Sequence, residues 1–291
     1  MKKSAFSLVE LSVVIAIIGL LIAGVAQASK MIRKSTLTAA RSQTKQSVVK
    51  DMPGLALWYE SALDSSFIPE EMADSVAVST WYDNNVQALS KINATQATTN
   101  SKPIYTENAI SGLPALKFGG SKNLAINDNL CTKDFTVFVV FQIAVVTSNG
   151  PFDGWGILFA DSTNVANDTI PLVVAGSSVL TANGGSSDTT LYAANSKVVT
   201  NNLPHVVTVS RDMVSGNRNI WVDGANNNSD FNGAPGINLA ANMNMLIGRS
   251  GNNNPDYLGY IGEVIIFDRH LLTDERKAVE KYLGKKWKID F

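Results

Sequence analysis

The first 28 residues constrain this chain more than any other stretch. Residues 6–28 are almost all apolar, and Lys2 and Lys3 come just before them. As a helix, this run would extend roughly 35 Å at about 1.5 Å per residue, which is enough to cross a hydrocarbon core about 30 Å thick. The run therefore predicts a helix that spans a membrane close to the N-terminus.

Glu10 is the exception within the apolar run. A carboxylate in a membrane helix costs about 3 kcal/mol even on a lenient insertion scale, so such a residue is usually retained for a partner or a function. It lies one helical turn after Phe6. Cleavage of the chain before Phe6 would create an amino group within reach of this carboxylate, and Glu10 is therefore a candidate for an ion pair.

The order of these residues resembles the N-terminus of type IV pilins and of the pseudopilins of type II secretion. Residues 1–5 read MKKSA, a short basic leader that ends in a small residue, and residues 6–10 read FSLVE. The resemblance implies cleavage between Ala5 and Phe6 by a prepilin peptidase and N-methylation of Phe6. It also implies that Glu10 sets the register of the subunit in a filament, by pairing with the N-terminal amine of a neighbouring pilin subunit.

The same resemblance implies where the chain resides. Before assembly it would cross the bacterial inner membrane once, with its C-terminus in the periplasm, and afterwards it would belong to a pilus or a periplasmic pseudopilus. Two departures matter. Ala5 stands where the family normally has Gly, and no Pro interrupts the chain before Pro53, which favours a minor pilin or pseudopilin over a major pilin. The single cysteine, Cys131, excludes an intramolecular disulfide and is expected to be a buried residue.

Two other interpretations of the N-terminus stay open. In the first, the run is a secretory signal cleaved after the A-x-A sequence of residues 26–28, which would release a glycan-acting protein. In the second, the run is a plain single-span anchor. A mature N-terminus at Phe6, Ser29 or Met1, respectively, distinguishes the three possibilities.

We divide the chain into a leader (residues 1–5), a helix (residues 6–52) and a head (residues 54–291). Residues 29–51 contain neither Pro nor Gly and carry six basic residues against one acid, so the helix is expected to continue until Pro53 and Gly54 end it. No nucleic acid partner is expected, because the formal net charge is −1 and this basic segment has no aromatic residue for stacking.

The head is predicted to be mainly β. Short runs of β-branched and aromatic residues alternate with Asn, Gly, Ser and Asp, which indicates strands of a sandwich or jelly roll. A C-terminal helix, capped by Thr273, is expected to pack its apolar face on the sandwich. That face contains Ala278, Val279, Tyr282, Leu283 and Trp287. The strand candidates are residues 113–118, 135–146, 155–160, 170–175, 205–211, 219–223, 244–248 and 257–268.

Residues 54–291 resemble the bacterial concanavalin A-like, laminin-G-type lectin/glucanase sandwich. The resemblance rests on residues 54–59 (GLALWY), 78–84 (VSTWYDN), 94–98 and 102–105 (ATQAT and KPIY), 112–120 (GLPALKFGG) and 259–269 (GYIGEVIIFDR), which runs on into the C-terminal helix. It implies a jelly-roll fold. It implies little about function, because this fold hosts lectins, hydrolases and plain spacers.

Nothing in the sequence predicts catalysis. Glucanases of this fold place their acids as E-x-D-x-x-E on one strand, and this chain has no such motif. Its nearest pair, Glu263 and Asp268, is five residues apart and would lie on opposite faces of a strand. Glu263 is instead expected to accept hydrogen bonds from loop amides. His205 and His270 are far apart and have no nucleophile signature near them.

Calcium is the candidate cofactor. Sandwiches of this family often hold Ca²⁺ through loop oxygens, as a hard cation requires. Such loop residues also serve ordinary turns, so the alternative of no metal stays open. The candidate ligands are Asp153, Asp161, Asp168 and Asp256.

Trp155, Trp221 and Tyr257 are candidate platforms for a sugar ring, with packing in the core as the alternative for each. Together these features predict a non-enzymatic, minor pilin-like subunit whose lectin-like head binds a glycan or protein ligand. The alternatives are a structural module without a ligand and a secreted glycan-acting protein.

Overall fold

The computed structural model describes residues 7–128, 130–143, 155–160, 169–175, 178–183, 191–195, 197–229, 244–248 and 257–290. It begins with one long helix, α1 (Leu8–Lys45). No part of the most apolar stretch of α1 is covered by the rest of the described chain, and by length and composition it could cross a membrane. An apolar surface of this length is stable only against lipid or against other apolar helices.

The α-helix ends earlier than residue 52, where the sequence predicts its end. The α-helix ends at Lys45 and is followed by a 3-10 helix at Val48–Asp51. Val49 of this 3-10 helix is buried in the second hydrophobic core, which contains residues of α1, α2 and the sheet. Gly54 then leads into the first strand with φ of +79°. A Cβ at this position would lie 2.7 Å from Oδ1 of Asp268, so both the conformation and the space require glycine.

The head consists of strands followed by one helix, α2 (Thr273–Trp287). In chain order the strands are β1 (Leu55–Glu60), β2 (Thr80–Trp81), β3 (Ala94–Thr95), β4 (Ile104–Ile110), β5 (Leu113–Phe118), β6 (Leu124–Ile126), β7 (Phe135–Gln142), β8 (Trp155–Ala160), β9 (Thr169–Ala175), β10 (Ser178–Asn183), β11 (Leu191–Asn195), β12 (Pro204–Arg211), β13 (Arg218–Val222), β14 (Ala225–Ser229), β15 (Met245–Ile247) and β16 (Gly259–Phe267).

Within the described residues, these strands form two antiparallel sheets. The helix-side sheet has the order β14-β13-β12-β7-β16-β5-β4, with β1 also paired to β16. The far sheet has the order β11-β10-β9-β8-β15-β6-β3-β2. Their facing surfaces enclose the main core, so the predicted jelly-roll sandwich is confirmed.

The helix-side sheet is buried on both faces, because α1 and α2 cover the face that points away from the far sheet. On β7, Val139 and Phe141 enter the main core, whereas Phe138 and Val140 pack beneath the helices. This arrangement explains why β7 and β16 are apolar at consecutive positions and do not alternate with polar residues. The head therefore has three layers: far sheet, helix-side sheet and helices.

The strand predictions account for eight of the sixteen described strands. Residues 113–118 and 155–160 are strands β5 and β8 as predicted, and each of the other six predicted runs overlaps one strand. The predicted extension of β7 to residue 146 is only partly described, since the strand ends at Gln142 and residues 144–146 lie outside the described residues. The strands that the sequence did not predict are β1, β2, β3, β4, β6, β10, β11 and β14. Strand β4, for example, lies at a sheet edge and carries polar residues at positions 106–108.

The N-cap residue of helix α2 is Leu272, and Thr273 is the first helical residue. The predicted cap at Thr273 is therefore wrong by one position. The cap is supplied by Glu275, whose Oε2 accepts the backbone N–H of Leu272 at 2.9 Å. Arg269 holds that carboxylate with two hydrogen bonds of 2.7 and 2.8 Å. On the predicted apolar face, Val279, Leu283 and Trp287 are fully buried and Tyr282 almost so.

Candidate functional site

The N-terminus of α1 is closed by its own side chains. The hydroxyl of Ser7 accepts the backbone N–H of Val9 at 3.3 Å, and Oε2 of Glu10 accepts the backbone N–H of Ser7 at 2.9 Å. This reciprocal pair is a capping box, which the S-x-x-E spacing of the sequence could have revealed. Glu10 thus lies at the positive end of the helix dipole. Ala5 and Phe6, the predicted processing residues, lie outside the described residues.

Two arginines of α1 fasten the helix to the head. Arg41 donates from Nε to the carbonyl of Ala62 at 2.7 Å and forms a 2.6 Å ion pair with Asp64. Arg33, two turns earlier, forms an ion pair with Glu107 on strand β4. Both pairs cross from the helix to the head, so they fix the height at which the head is attached to α1.

A buried cluster of three charges lies at the same junction; we call Glu60, Glu263 and Lys286 the polar junction. Strands β1 and β16 pair Glu60 with Glu263 in direct register. Lys286 reaches down from α2, lies 2.8 Å from Oε2 of Glu263 and also forms an ion pair with Glu60. All three side chains have no exposed surface.

Every described donor around Glu263 comes from a side chain. Trp58, Tyr282 and Trp287 each donate to its carboxylate at 2.8 Å, in addition to Lys286. Glu263 is therefore a structural acceptor, although the predicted loop amides are not its donors. The backbone amides of residues 62 and 63 donate instead to Glu60, at 3.0 and 2.6 Å.

Tyr282 links the polar junction to α1, because its hydroxyl donates to Glu263. The hydroxyl of Tyr282 lies 3.2 Å from Oγ1 of Thr44, a buried residue of α1. Gly262 lets α2 approach the sheet, because a Cβ there would stand 2.5 Å from the ring of Trp287. Burial raises the pKa of Glu60 by penalising its charged form, and the ammonium of Lys286 opposes that rise.

Trp221, a predicted sugar platform, contributes to the packing between α2 and strand β13. The guanidinium of Arg276 lies over its ring, 4.2 Å from the centroid. Arg276 is held there by Glu280 in a buried ion pair of 2.6 Å. A cation therefore covers one ring face of Trp221. This agrees with the alternative stated above, that Trp221 serves in packing and does not bind a sugar.

Tyr257 is fully buried and presents no ring face to a ligand, so the prediction of a sugar platform at this residue is wrong. Its ring packs edge-on against Phe118, and its hydroxyl donates to the carbonyl of Tyr260 at 3.0 Å. Trp155 lies on strand β8, and its side chain is outside the described part of the molecule.

The predicted calcium ligands Asp153, Asp161, Asp168 and Asp256 lie outside the described residues, and calcium stays a prediction. Among the residues that the structure describes, no group of three or more His, Cys, Asp or Glu side chains could hold a metal ion. Cys131 is buried as expected, and burial raises the pKa of its thiol to about 12.

His205 belongs to a buried network at the start of strand β12. Its Nδ1 lies 2.8 Å from Oδ2 of Asp223, and its Nε2 lies 2.9 Å from Oδ1 of Asn201. Lys197 also pairs with Asp223, at 2.6 Å. Burial tends to raise the pKa of Asp223, but the hydrogen bonds from His205 and Lys197 outweigh it and hold that pKa below its usual value. These contacts connect the segment of residues 197–201 to strand β12 and to Asp223.

An open groove of about 1060 Å³ lies between α2 and the turn that joins β13 to β14; we call it the lysine groove. Four exposed lysines line it. Its two buried acids are already paired, Asp223 with His205 and Glu280 with Arg276. The lysines are Lys277, Lys281, Lys285 and Lys288.

Two family models match the chain. The concanavalin A-like lectin/glucanases superfamily matches residues 118–275, and the prokaryotic N-terminal methylation motif matches residues 1–26. The first match covers more than half of the chain, which therefore belongs to the concanavalin A-like lectin/glucanases superfamily. The second confirms the type IV pilin-like N-terminus. No curated protein matches the chain by sequence.

Several solved structures share the fold. The binding domain of Paraclostridial Mosquitocidal Protein 1 superposes with a TM-score of 0.55 at 12% identity, covering 81% of this chain and 53% of that chain. The binding domain of botulinum neurotoxin DC, in complex with rat synaptotagmin II, gives a TM-score of 0.52 at 12% identity, covering 81% of this chain and 52% of that chain.

Domain 4 of an extracellular arabinanase from Geobacillus stearothermophilus, in complex with arabinotriose, gives a TM-score of 0.52 at 14% identity, covering 78% of this chain and 97% of that one. Identities this low show the fold alone. The chain spans 33% of a Trypanosoma rangeli sialidase and about half of each toxin structure. The fold is thus shared by parts of enzymes and by binding domains without catalytic function.

Proposed function

We propose that this protein is a minor pilin-like or pseudopilin subunit, which enters a type IV pilus or a type II secretion-type filament through α1 and displays a lectin-like head. One observation carries the proposal: the methylation motif leads directly into an apolar helix whose far end is built into a concanavalin A-like head. Two arginine ion pairs and the contact of Tyr282 with Thr44 join α1 to the head.

The proposed sequence of events begins in the inner membrane, with the C-terminus in the periplasm. A prepilin peptidase cleaves between Ala5 and Phe6, and Phe6 is methylated. On assembly, the exposed apolar surface of α1 exchanges lipid for the helices of other pilin subunits. Glu10, placed by its capping box at the end of the helix, pairs with the N-terminal amine of a neighbour.

The size of the head favours a minor position. Residues 54–291 make up most of the chain, and a head of this size at every position would crowd a filament. A subunit present once, near the tip, avoids that crowding and places the head where it meets other surfaces.

Binding is a better assignment than hydrolysis for this head. Glycoside hydrolysis needs two carboxyl groups that flank a bond accessible to water. The in-register pair Glu60 and Glu263 has no exposed surface and is held by Lys286, so a sugar could not reach it. The arabinanase domain crystallised with arabinotriose supports a carbohydrate ligand for a sandwich of this kind.

The ligand class that we propose is an acidic polysaccharide bound in the lysine groove. Lys277, Lys281 and Lys285 recur every four residues, which places them about 6 Å apart along one face of α2. A linear chain with repeated carboxylate or sulfate groups fits such a row. Among the described residues that line the groove none is aromatic, so they offer a single-stranded nucleic acid no stacking surface.

This assignment is tested by charge reversal. The double variant Lys281→Glu, Lys285→Glu is expected to bind polygalacturonate about tenfold more weakly than the unmodified protein, because attraction becomes repulsion at two positions. The matched control is Lys117→Glu, Lys133→Glu, at two exposed lysines elsewhere on the head, which should bind as before. Equal binding by both variants, or stronger binding to duplex DNA than to polygalacturonate, would contradict the assignment.

A further inference from the structure

A second groove, of about 410 Å³, lies between α1 and the head; we call it the interface groove. Basic residues of one helix face, Lys30, Arg33 and Lys34, form its rim. Leu37 of the same face forms its apolar side together with Met72 and Pro114 of the head. A cationic rim beside an apolar wall is the surface that an amphipathic anion requires.

The two arginines of this groove are already paired, whereas its two lysines have no partner among the described residues. Arg33 is bound by Glu107 and Arg41 by Asp64. The side chains of Lys30 and Lys34 make no hydrogen bond or ion pair with any described residue, and both are exposed. They lie four residues apart and therefore on the same side of the helix. Two positive charges at the mouth of the groove are thus available to a ligand.

The position of these lysines along α1 indicates which anion they meet. Counted from Leu8, the apolar stretch to residue 28 is about 30 Å long, which is the thickness of the hydrocarbon core. Lys30 and Lys34 follow within about 9 Å of its end, at the depth of the lipid headgroups. In the proposed orientation they lie on the periplasmic side, where the positive-inside rule disfavours basic residues.

We propose that the interface groove binds the headgroup of an anionic phospholipid while the subunit resides in the membrane. Lys30 and Lys34 bind the phosphate, and the wall formed by Leu37, Met72 and Pro114, which lies farther from the hydrocarbon core than the lysines, packs against the outer part of the headgroup. This inference rests on the proposed membrane-inserted form of the chain. The bound lipid would hold the head at a fixed height above the membrane until the subunit is extracted.

The test uses the full chain in detergent, titrated with phosphatidylglycerol or phosphatidylcholine, with bound lipid counted by native mass spectrometry. The unmodified protein is expected to bind phosphatidylglycerol about tenfold more tightly than phosphatidylcholine, since each basic residue adds attraction to an anionic headgroup. The variant Lys30→Gln, Lys34→Gln is expected to lose that preference. The control Lys45→Gln, Lys133→Gln removes the same charge at two exposed lysines outside both grooves and should keep the preference.

Two outcomes would overturn the inference: an unchanged preference in the groove variant, or displacement of the lipid by inorganic phosphate at millimolar concentration, which would show a general anion site. Carbonate extraction of the same variants from membranes separates this inference from the proposed function. Loss of the preference in a variant that stays inserted supports the lipid site. A chain that is never inserted contradicts the proposed function itself.

Discussion

Replacing Glu10 with Gln is expected to lower incorporation of the subunit into filaments at least tenfold, while α1 still folds and inserts. Gln also serves at this position of a capping box, so the hydrogen bond from Ser7 is retained. The charge that would pair with a neighbour's N-terminal amine is lost, and a charge-assisted hydrogen bond contributes about 1.5–3 kcal/mol. Immunoblotting of sheared filaments against the membrane fraction measures the effect.

The matched control is Ser7→Ala, which removes the hydroxyl cap and keeps the carboxylate. Loss of a cap costs about 1 kcal/mol of helix stability. A membrane-embedded helix tolerates this cost, so the control is expected to enter filaments at close to the normal level. If Ser7→Ala fails as completely as Glu10→Gln, capping is the important property of this end of the helix, and the proposed pairing of Glu10 with a neighbour is wrong.

Replacing Lys286 with Met is expected to destabilise the head by about 3–5 kcal/mol, the usual effect of removing one partner from a buried ion pair. Glu60 and Glu263 would then share a site without surface exposure and without a compensating cation. Urea unfolding of the full chain in detergent, followed by tryptophan fluorescence, measures the loss, because Trp58 and Trp287 both donate to Glu263.

The effect should depend on pH. The pKa of Glu60 is raised in the folded protein above its ordinary value of 4.5, and removal of Lys286 would raise it further. A group of this kind contributes stability that is present below pH 4.5 and lost as the pH rises through the folded-state pKa. The destabilisation by Lys286→Met is therefore expected to shrink as the pH falls toward 4.5.

Two variants control this prediction. Lys285→Met lies next to Lys286 but is exposed, and its effect should stay within about 0.5 kcal/mol. Adding Glu60→Gln to Lys286→Met removes one of the two uncompensated carboxylates and should restore part of the stability. A loss below about 1 kcal/mol for Lys286→Met, with no rescue by Glu60→Gln, would show that the polar junction does not stabilise the head.

The sequence predicted those parts of the fold that depend on local pattern. The apolar run of α1, the apolar face of α2 and half of the described strands of the head were predicted, because each is encoded by neighbouring residues. The pairing of Glu60 with Glu263 was not, since it depends on the register of two strands about 200 residues apart in the chain. The burial of Lys286 was not predicted either, because a lysine that occurs close to Lys285 and Lys288 suggests a solvated side chain.

The candidate sites also separate into those encoded by neighbouring residues and those that depend on residues far apart in the chain. The methylation motif is a linear pattern and could be recognised directly. Trp221 and Tyr257 have the composition of sugar platforms, but their environment depends on Arg276 and on the sandwich core, which only the folded head brings together. The two basic grooves were not predicted for a related reason: each is formed by a helix together with a distant part of the head.

The central claim is that the chain is a processed, pilin-like subunit, and the residue at its mature N-terminus tests this most directly. Mass spectrometry of the N-terminal peptide, from protein recovered with the filament fraction of the native host, is expected to find N-methylated Phe6. A mature chain that begins at Ser29 would show a cleaved secretory signal, and one that begins at Met1 would show a plain anchor. Either result would contradict the assignment.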